Sequence, residues 1–302
     1  MSFATSILVS YWKVYKHFDC KRIQRQKPLT GINEVSDVPY IDDGRWEHKL
    51  DILYPENAQK PMPVIVDIHG GGWMYGFKEI NRVYAQHLAQ RGFTVFNINY
   101  RLAPEASNSG QLQDIAEALN YISNNLNKYP CSRENIYLTG DSAGGQLALY
   151  TAMLSTDKDM RDVYGVTDSG INFNAVALTS PVCMKANGLI GFYLKIAFGK
   201  NRIDFNKNKY SDINNLAGLA NLPPVFLVTS SGDGFGRRLT VNTYNLLRKA
   251  GVTAKLMNWP KINGKNLHHV FSVLNPQWDE SCKTIDEMLS FFKTYEKTVA
   301  EK

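Results

Sequence analysis

No two cysteines in this chain form a C-x-x-C, and Cys20, Cys131, Cys183 and Cys282 are scattered without metal-ligand spacing. Neither a zinc site nor a disulfide framework is expected, and the four read as free thiols of a cytoplasmic protein. No stretch approaches the roughly 20 apolar residues that span a bilayer, so no integral membrane segment is expected. Residues 1–12 lack an early basic region and a small-residue cleavage site, which argues against a signal peptide. No Walker lysine follows a glycine loop, no G-x-G-x-x-G opens a helix, and no RNP-like aromatic motif, zinc finger or recognition-helix pattern is present. Nucleotide cofactors, metals and nucleic acid are therefore set aside. There is no low-complexity tract, no internal repeat and no linker rich in Pro, Gly or Ser.

The residues present are ample for a large core: 302 in all, 44% hydrophobic and 21% charged. Phe3, Ile7, Leu8, Tyr11, Trp12, Tyr15 and Phe18 recur mostly at three- and four-residue steps, predicting one apolar face of an N-terminal helix. That helix precedes the first strand, so it must pack on the outside of the later elements. A cap over a binding site, a membrane-surface helix and an extra core layer are all open, with the cap favoured. Much of the formal charge of +6 lies in residues 13–27, and a basic patch on a solvated helix face is the simplest account.

From residue 35 the texture becomes that of a sheet. Residues 35–40 and 48–54 are strand-like runs flanking Asp43-Gly44, a hairpin turn dipeptide. Compact apolar strands are then predicted at 64–68, 94–99, 135–139, 175–179, 225–229 and 253–258. Helices are predicted between them: around 82–90, at 112–122, from Gln146, up to Gly251, and finally at 285–292. A hairpin followed by strand–helix alternation predicts an α/β fold with a mostly parallel central sheet flanked by helices. Residues 181–224 break the rhythm with aromatics, asparagines and lysines but no clear strand. One domain over 1–302 with an inserted cap is the reading.

The chemistry gathers on loops at the carboxyl ends of strands, where open α/β sheets place their working groups. Gly140, Ser142 and Gly144 form G-x-S-x-G between an apolar strand and a helix. In such a nucleophile elbow the turn leaves no room for Cβ atoms beside the serine, and the following helix aims free N–H groups at the corner. A chain this long shows on the order of a tenth of such a pattern by chance. His69-Gly-Gly-Gly-Trp73 follows the strand at 64–68, Asp233 follows the strand at 225–229, and His268-His269 follows the last strand. A histidine near neutrality suits a serine base, and one of these two is an exposed bystander. His69 belongs to the glycine loop and is expected to fix its shape. His17, His48 and His87 fall on helix or strand faces and read as structural.

The order Ser142, Asp233, His269 is that of an α/β-hydrolase triad. The chain resembles the hormone-sensitive-lipase-like carboxylesterases in His69-Gly-Gly-Gly72, Tyr100-Arg-Leu-Ala-Pro-Glu105, Gly140-Asp-Ser-Ala-Gly-Gly145, the Asp233 loop and His269-Val-Phe271, the last in place of the family's H-G-F. These motifs span roughly residues 45–295 in the family's order. The resemblance implies a cofactor-free serine carboxylesterase acting on small, short-chain acyl esters through an acyl-enzyme. It implies Ser142, Asp233 and His269 as catalytic residues, and an oxyanion hole of Gly71, Gly72 and Ala143. It also implies a cap made of residues 1–30 and 183–222. Two departures stand out: the family's D-P-L-R-D is here Asp233-Gly-Phe-Gly-Arg237, and the usual Pro-Ala after Glu105 is missing. Three rivals remain: an amide or peptide hydrolase, which in this fold usually carries a large extra domain not expected here; a non-catalytic receptor; and an enzyme whose basic N-terminal stretch docks on membranes and whose substrates are lipids. Homo-oligomer formation is left open.

Overall fold

The structure, a computed structural model, describes residues 3–183, 188–198, 213 and 218–298. Its centre is an eight-stranded sheet: β1 (Ile32–Pro39), β2 (Lys49–Pro55), β3 (Met62–Ile68), β4 (Thr94–Ile98), β5 (Cys131–Asp141), β6 (Ala175–Thr179), β7 (Val225–Ser230) and β8 (Ala254–Trp259). The spatial order is β1-β2-β4-β3-β5-β6-β7-β8. β1 and β2 pair antiparallel, β2 meets β4 antiparallel, and every later pairing is parallel. β4, β6 and β7 are buried along their whole length, which is why they read as continuous apolar runs with no alternation.

Nine α-helices accompany the sheet among the described residues: α1 (Phe3–Arg25), α2 (Arg82–Gln90), α3 (Asn108–Asn125), α4 (Ser142–Thr156), α5 (Lys158–Tyr164), α6 (Gly188–Phe198), α7 (Gly236–Lys249), α8 (Phe271–Leu274) and α9 (Asp279–Lys293). Two cores result, one on each face of the sheet. Leu112, Ile115, Leu119, Leu147, Leu149 and Met153 of α3 and α4 fill one with Val66, Leu138 and Leu178 of the strands. Leu88 of α2 and Ile285, Met288 and Phe292 of α9 fill the other against Ile65, Tyr137 and Phe226. Apolar side chains at three- and four-residue spacing thus meet a sheet whose successive residues point to opposite faces. Local capping sharpens the joints: Ser107 accepts from the Gly110 N–H (3.0 Å) to start α3, and Asp157 accepts from the Met160 N–H (2.9 Å) to start α5. No helix among the described residues is long and apolar enough to cross a membrane.

The structure departs from the sequence expectations in several places. β1 and β2 are joined by nine residues that include a short 3-10 turn, not by a tight turn at Asp43-Gly44. There the Asp43 carboxylate instead bonds the His48 ring (2.7 Å) and caps the Arg45 N–H (3.0 Å). α4 begins at Ser142, four residues before the expected start, because the glycine pair of the elbow packs inside the helix's first turn. Nor does α1 have one apolar face. Leu8, Val9 and Trp12 pack on the core, whereas Phe3, Ile7, Tyr11, Tyr15 and Phe18 are exposed. Of the cap regions inferred from sequence, residues 1–2, 184–187, 199–212 and 214–217 lie outside the described residues.

Candidate active site

Ser142 stands where β5 turns into α4, with φ +52°. A left-handed conformation at a non-glycine residue costs about 1–3 kcal/mol and persists only where the surroundings enforce it. The surroundings here are two close approaches. A Cβ at Gly144 would overlap the Ile68 and His69 carbonyls, and one at Gly140 would lie 2.5 Å from the Gly144 carbonyl oxygen. The glycines of the motif therefore let α4 abut β3 and β5. The Val182 N–H donates to the Ser142 carbonyl at 3.0 Å and fixes the corner from the β6 side.

His269 lies ten residues beyond β8 and reaches this corner. Its Nε2 is 2.9 Å from Ser142 Oγ, and its Nδ1 is 3.1 and 3.0 Å from the two oxygens of Asp233. With Nδ1–H donating to the carboxylate, Nε2 is left to accept the serine hydroxyl proton. Asp233 is buried, and desolvation alone would raise its pKa. The His269 hydrogen bond and charge, a Ser180 hydrogen bond and the Gly236 N–H (2.6 Å) outweigh it and hold the carboxyl below its ordinary value. Phe235 stands edge-on to the His269 ring, with centroids 5.4 Å apart. Val270, where the resemblance puts glycine, is held at φ +50°. His268 turns elsewhere: its Nδ1 bonds the His269 carbonyl (2.9 Å), its Nε2 the Asn275 amide (3.2 Å), and its ring meets Trp278. Arg237, at the family's second acidic position, reaches outward to Asn258 Oδ1 (3.4 Å).

The glycine loop after β3 lies against the elbow. The Gly70 N–H donates to Asp141 Oδ1 at 2.9 Å, tying it to the residue before the serine. The Asn81 amide donates to Asp141 (3.0 Å) and to Asp67 (2.8 Å), linking two buried carboxyls. Burial raises the pKa of both and brings Asp67 to about 7, with the Asp141 charge adding to the effect. His69 is buried, stacks on Tyr100 (4.5 Å) and bonds the Gly70 carbonyl through Nδ1. Burial pushes its pKa down to about 4, so it is neutral and shapes the loop, as expected. Gly71 and Gly72 have φ of +126° and +58°, and neither donates its N–H to a partner among the described residues. Ala143 is buried at the first turn of α4.

Sequence reasoning missed the contacts that α1 and α6 make with this loop. Tyr193 of α6 donates its hydroxyl to the Gly72 carbonyl (2.7 Å), and Trp12 of α1 donates its indole N–H to the Tyr193 oxygen (3.0 Å). Trp12 also stacks on Tyr75 (5.2 Å, 11°), whose hydroxyl donates to Asp19 of α1 (2.9 Å). Aromatic residues at these positions were visible, but not their partners. The Gly70–Asp141 bond was within reach, since both residues lie in motifs the sequence shows.

The fold is that of an α/β hydrolase, with Asp233, His269 and Ser142 in one hydrogen-bonded line at the carboxyl ends of its strands. Residues 50–184 match the BD-FAE family model. The chain is 28% identical to Esterase B of Lactobacillus rhamnosus over 97% of its own length and 95% of that chain, with a TM-score of 0.89. It aligns equally well, at the same identity and TM-score, with the tributyrin-phosphonate-inhibited form of that enzyme, over 98% and 96% of the two chains. It is 26% identical over 147 residues to the isoprenylcysteine alpha-carbonyl methylesterase of Arabidopsis thaliana, covering 49% of this chain and 31% of that protein. The matched stretch spans less than a third of the length of the curated plant methylesterases it reaches.

Proposed function

We propose that this protein hydrolyses short-chain acyl esters of small molecules through an acyl-enzyme, without a cofactor. The observation that carries the reading is the continuous hydrogen-bonded line from Asp233 through His269 to Ser142. In the first step His269 Nε2 takes the Ser142 proton as Oγ attacks the ester carbonyl, and Asp233 stabilises the imidazolium that forms. The imidazolium then protonates the departing alcohol. In the second step water, deprotonated by the same imidazole, attacks the acyl-serine and releases the acid. Gly71, Gly72 and Ala143 supply backbone N–H groups to the oxyanion of both tetrahedral intermediates, each such donor contributing about 3 kcal/mol. α1 and α6 form the cap, and Trp12, Tyr75 and Tyr193 crowd the glycine loop on that side, which supports a preference for short acyl groups. Esterase B bound to a C4-C4 tributyrin phosphonate supports the same class of substrate. The four free cysteines support a reducing, cytoplasmic compartment.

Turnover of p-nitrophenyl esters of increasing chain length tests this. Rates should peak at acetate or butyrate and fall for octanoate, and Ser142→Ala should lose all turnover and all labelling by a fluorophosphonate. A Ser142→Ala variant that still turns over butyrate would refute the assignment, and a rate that rises steadily with chain length would refute the acyl preference.

A further inference from the structure

Among the described residues, the outward side of α1 has no partner that accounts for its chemistry. Phe3, Ile7, Tyr11, Val14 and Phe18 recur every three or four residues along it and are exposed, Phe3 at 83% and Phe18 at 63%. The stripe is about 22 Å long. A surface helix ordinarily turns polar residues outward, and a contiguous exposed apolar strip marks an interaction surface. Here the opposite side already packs on the core through Leu8, Val9 and Trp12, so the helix is apolar on both sides.

Charge identifies what meets the outer one. Residues 3–27 hold six basic side chains and one acidic one, a net +5 against +6 for the whole chain. The single acid, Asp19, is bound inward to Arg22 and Tyr75. Lys13 flanks the stripe, and Lys21 and Arg25 continue it one and two turns past Phe18; all three are exposed. Aromatic and aliphatic side chains bordered by lysine and arginine are what a helix lying in a lipid interface needs. The apolar stripe sinks to the acyl boundary while the cations reach the phosphates. A symmetric pair of these helices would bring two +5 segments together, so like charges oppose a second copy of the chain.

We infer that the outer face of α1 docks the protein on an anionic lipid surface. The helix would lie along that surface with its inner side still holding Trp12 against the Tyr193 hydroxyl at the Gly72 loop. The glycine loop would then stand about one helix diameter, roughly 10 Å, from the lipid.

Co-sedimentation of the full chain with vesicles tests this without reference to activity. The protein should pellet with phosphatidylglycerol–phosphatidylcholine vesicles, stay in solution with phosphatidylcholine alone, and be released by salt. Ile7→Ser combined with Phe18→Ser, and separately Lys21→Glu combined with Arg25→Glu, should each lower the bound fraction about tenfold. Both double variants should keep p-nitrophenyl acetate turnover within about twofold of wild type, since none of these side chains touches the triad or the glycine loop. Absence of binding to anionic vesicles, or binding indifferent to the charge reversals, overturns the inference. Two further results would do so by naming another occupant: a dimer in light scattering that the apolar double variant dissolves, or binding of poly-glutamate without binding of vesicles.

Discussion

The Tyr193 hydroxyl donates to the carbonyl oxygen of Gly72 across 2.7 Å, although the two residues are 121 positions apart. The same oxygen of Tyr193 accepts from the Trp12 indole, so α1 and α6 converge on one peptide of the glycine loop. A carbonyl pinned in this way fixes the plane of the Gly72–Trp73 peptide and restrains the backbone of Gly72, and through it the direction of the adjoining Gly72 N–H. Tyr193→Phe removes the pin and keeps the ring. The expected result is a kcat about five- to tenfold lower with KM nearly unchanged, the size of one neutral hydrogen bond expressed in the transition state. A rise in KM at constant kcat would instead make Tyr193 a wall of the ester pocket.

Gly236 is a second position at which the backbone protects the chemistry. A Cβ there would lie 2.5 Å from Asp233 Oδ2 and 2.8 Å from His269 Nδ1, inside the acid–base contact, whereas one at Gly234 would meet nothing within 4 Å. Gly236→Ala should therefore lower kcat/KM about a hundredfold or more, and Gly234→Ala should change it by no more than about twofold. Steady-state kinetics on the two variants, with circular dichroism to verify the fold, makes the comparison. Equal activities would mean that the acid loop moves away freely and that its packing does not align His269.

Adjacent histidines with different surroundings give a third comparison. His269 faces Ser142 and Asp233, while both ring nitrogens of His268 are engaged by the His269 carbonyl and the Asn275 amide. His269→Ala should reduce p-nitrophenyl butyrate turnover by about four orders of magnitude, as loss of a triad member does. His268→Ala should retain activity to within about threefold and reveal itself in a lower thermal midpoint, since it removes two hydrogen bonds at the start of the α8 turn. The opposite ranking would reassign the base.

Whether a feature is legible in the sequence depends on what its residues answer to. Gly140, Gly144 and the run Gly70–Gly72 are glycines for reasons of backbone geometry, so their spacing alone announces an elbow and a loop. The strands at β3 to β7 are legible because burial on both faces leaves a compact apolar run. By contrast, the split of α1 into two apolar sides is hidden, since hydrophobicity records that a residue avoids water and not which neighbour covers it. The Tyr193–Gly72 and Asn81–Asp141 bonds are hidden for a related reason: each joins a common polar residue to a partner chosen only by the folded topology. Val270 shows a further limit. A β-branched residue gives no local hint of a left-handed backbone, yet the loop holds it at φ +50°, and only the family's glycine at that place points to the geometry.

The buried carboxyl of Asp67 sets a pH dependence of stability that does not involve the triad. It accepts from the Thr139 hydroxyl (2.5 Å) and from Asn81, beside Asp141. Burial, partly offset by those two bonds, brings its pKa from 3.8 to about 7. The folded protein therefore keeps a proton that the unfolded chain has already shed. The contribution is full below about pH 4 and is lost as the pH rises toward about 7, so Asp67 makes the fold less stable in mildly alkaline than in mildly acidic solution. Asp67→Asn has nearly the same shape, can still accept from Asn81, and does not ionise. Between about pH 5 and about pH 8 the stability difference should shift in favour of the variant by about 2–3 kcal/mol. Urea unfolding of both proteins at the two pH values, with midpoints compared at equal m-values, measures this. Parallel pH profiles would mean that Asp67 is ionised throughout, with the Thr139 and Asn81 bonds enough to hold its charge.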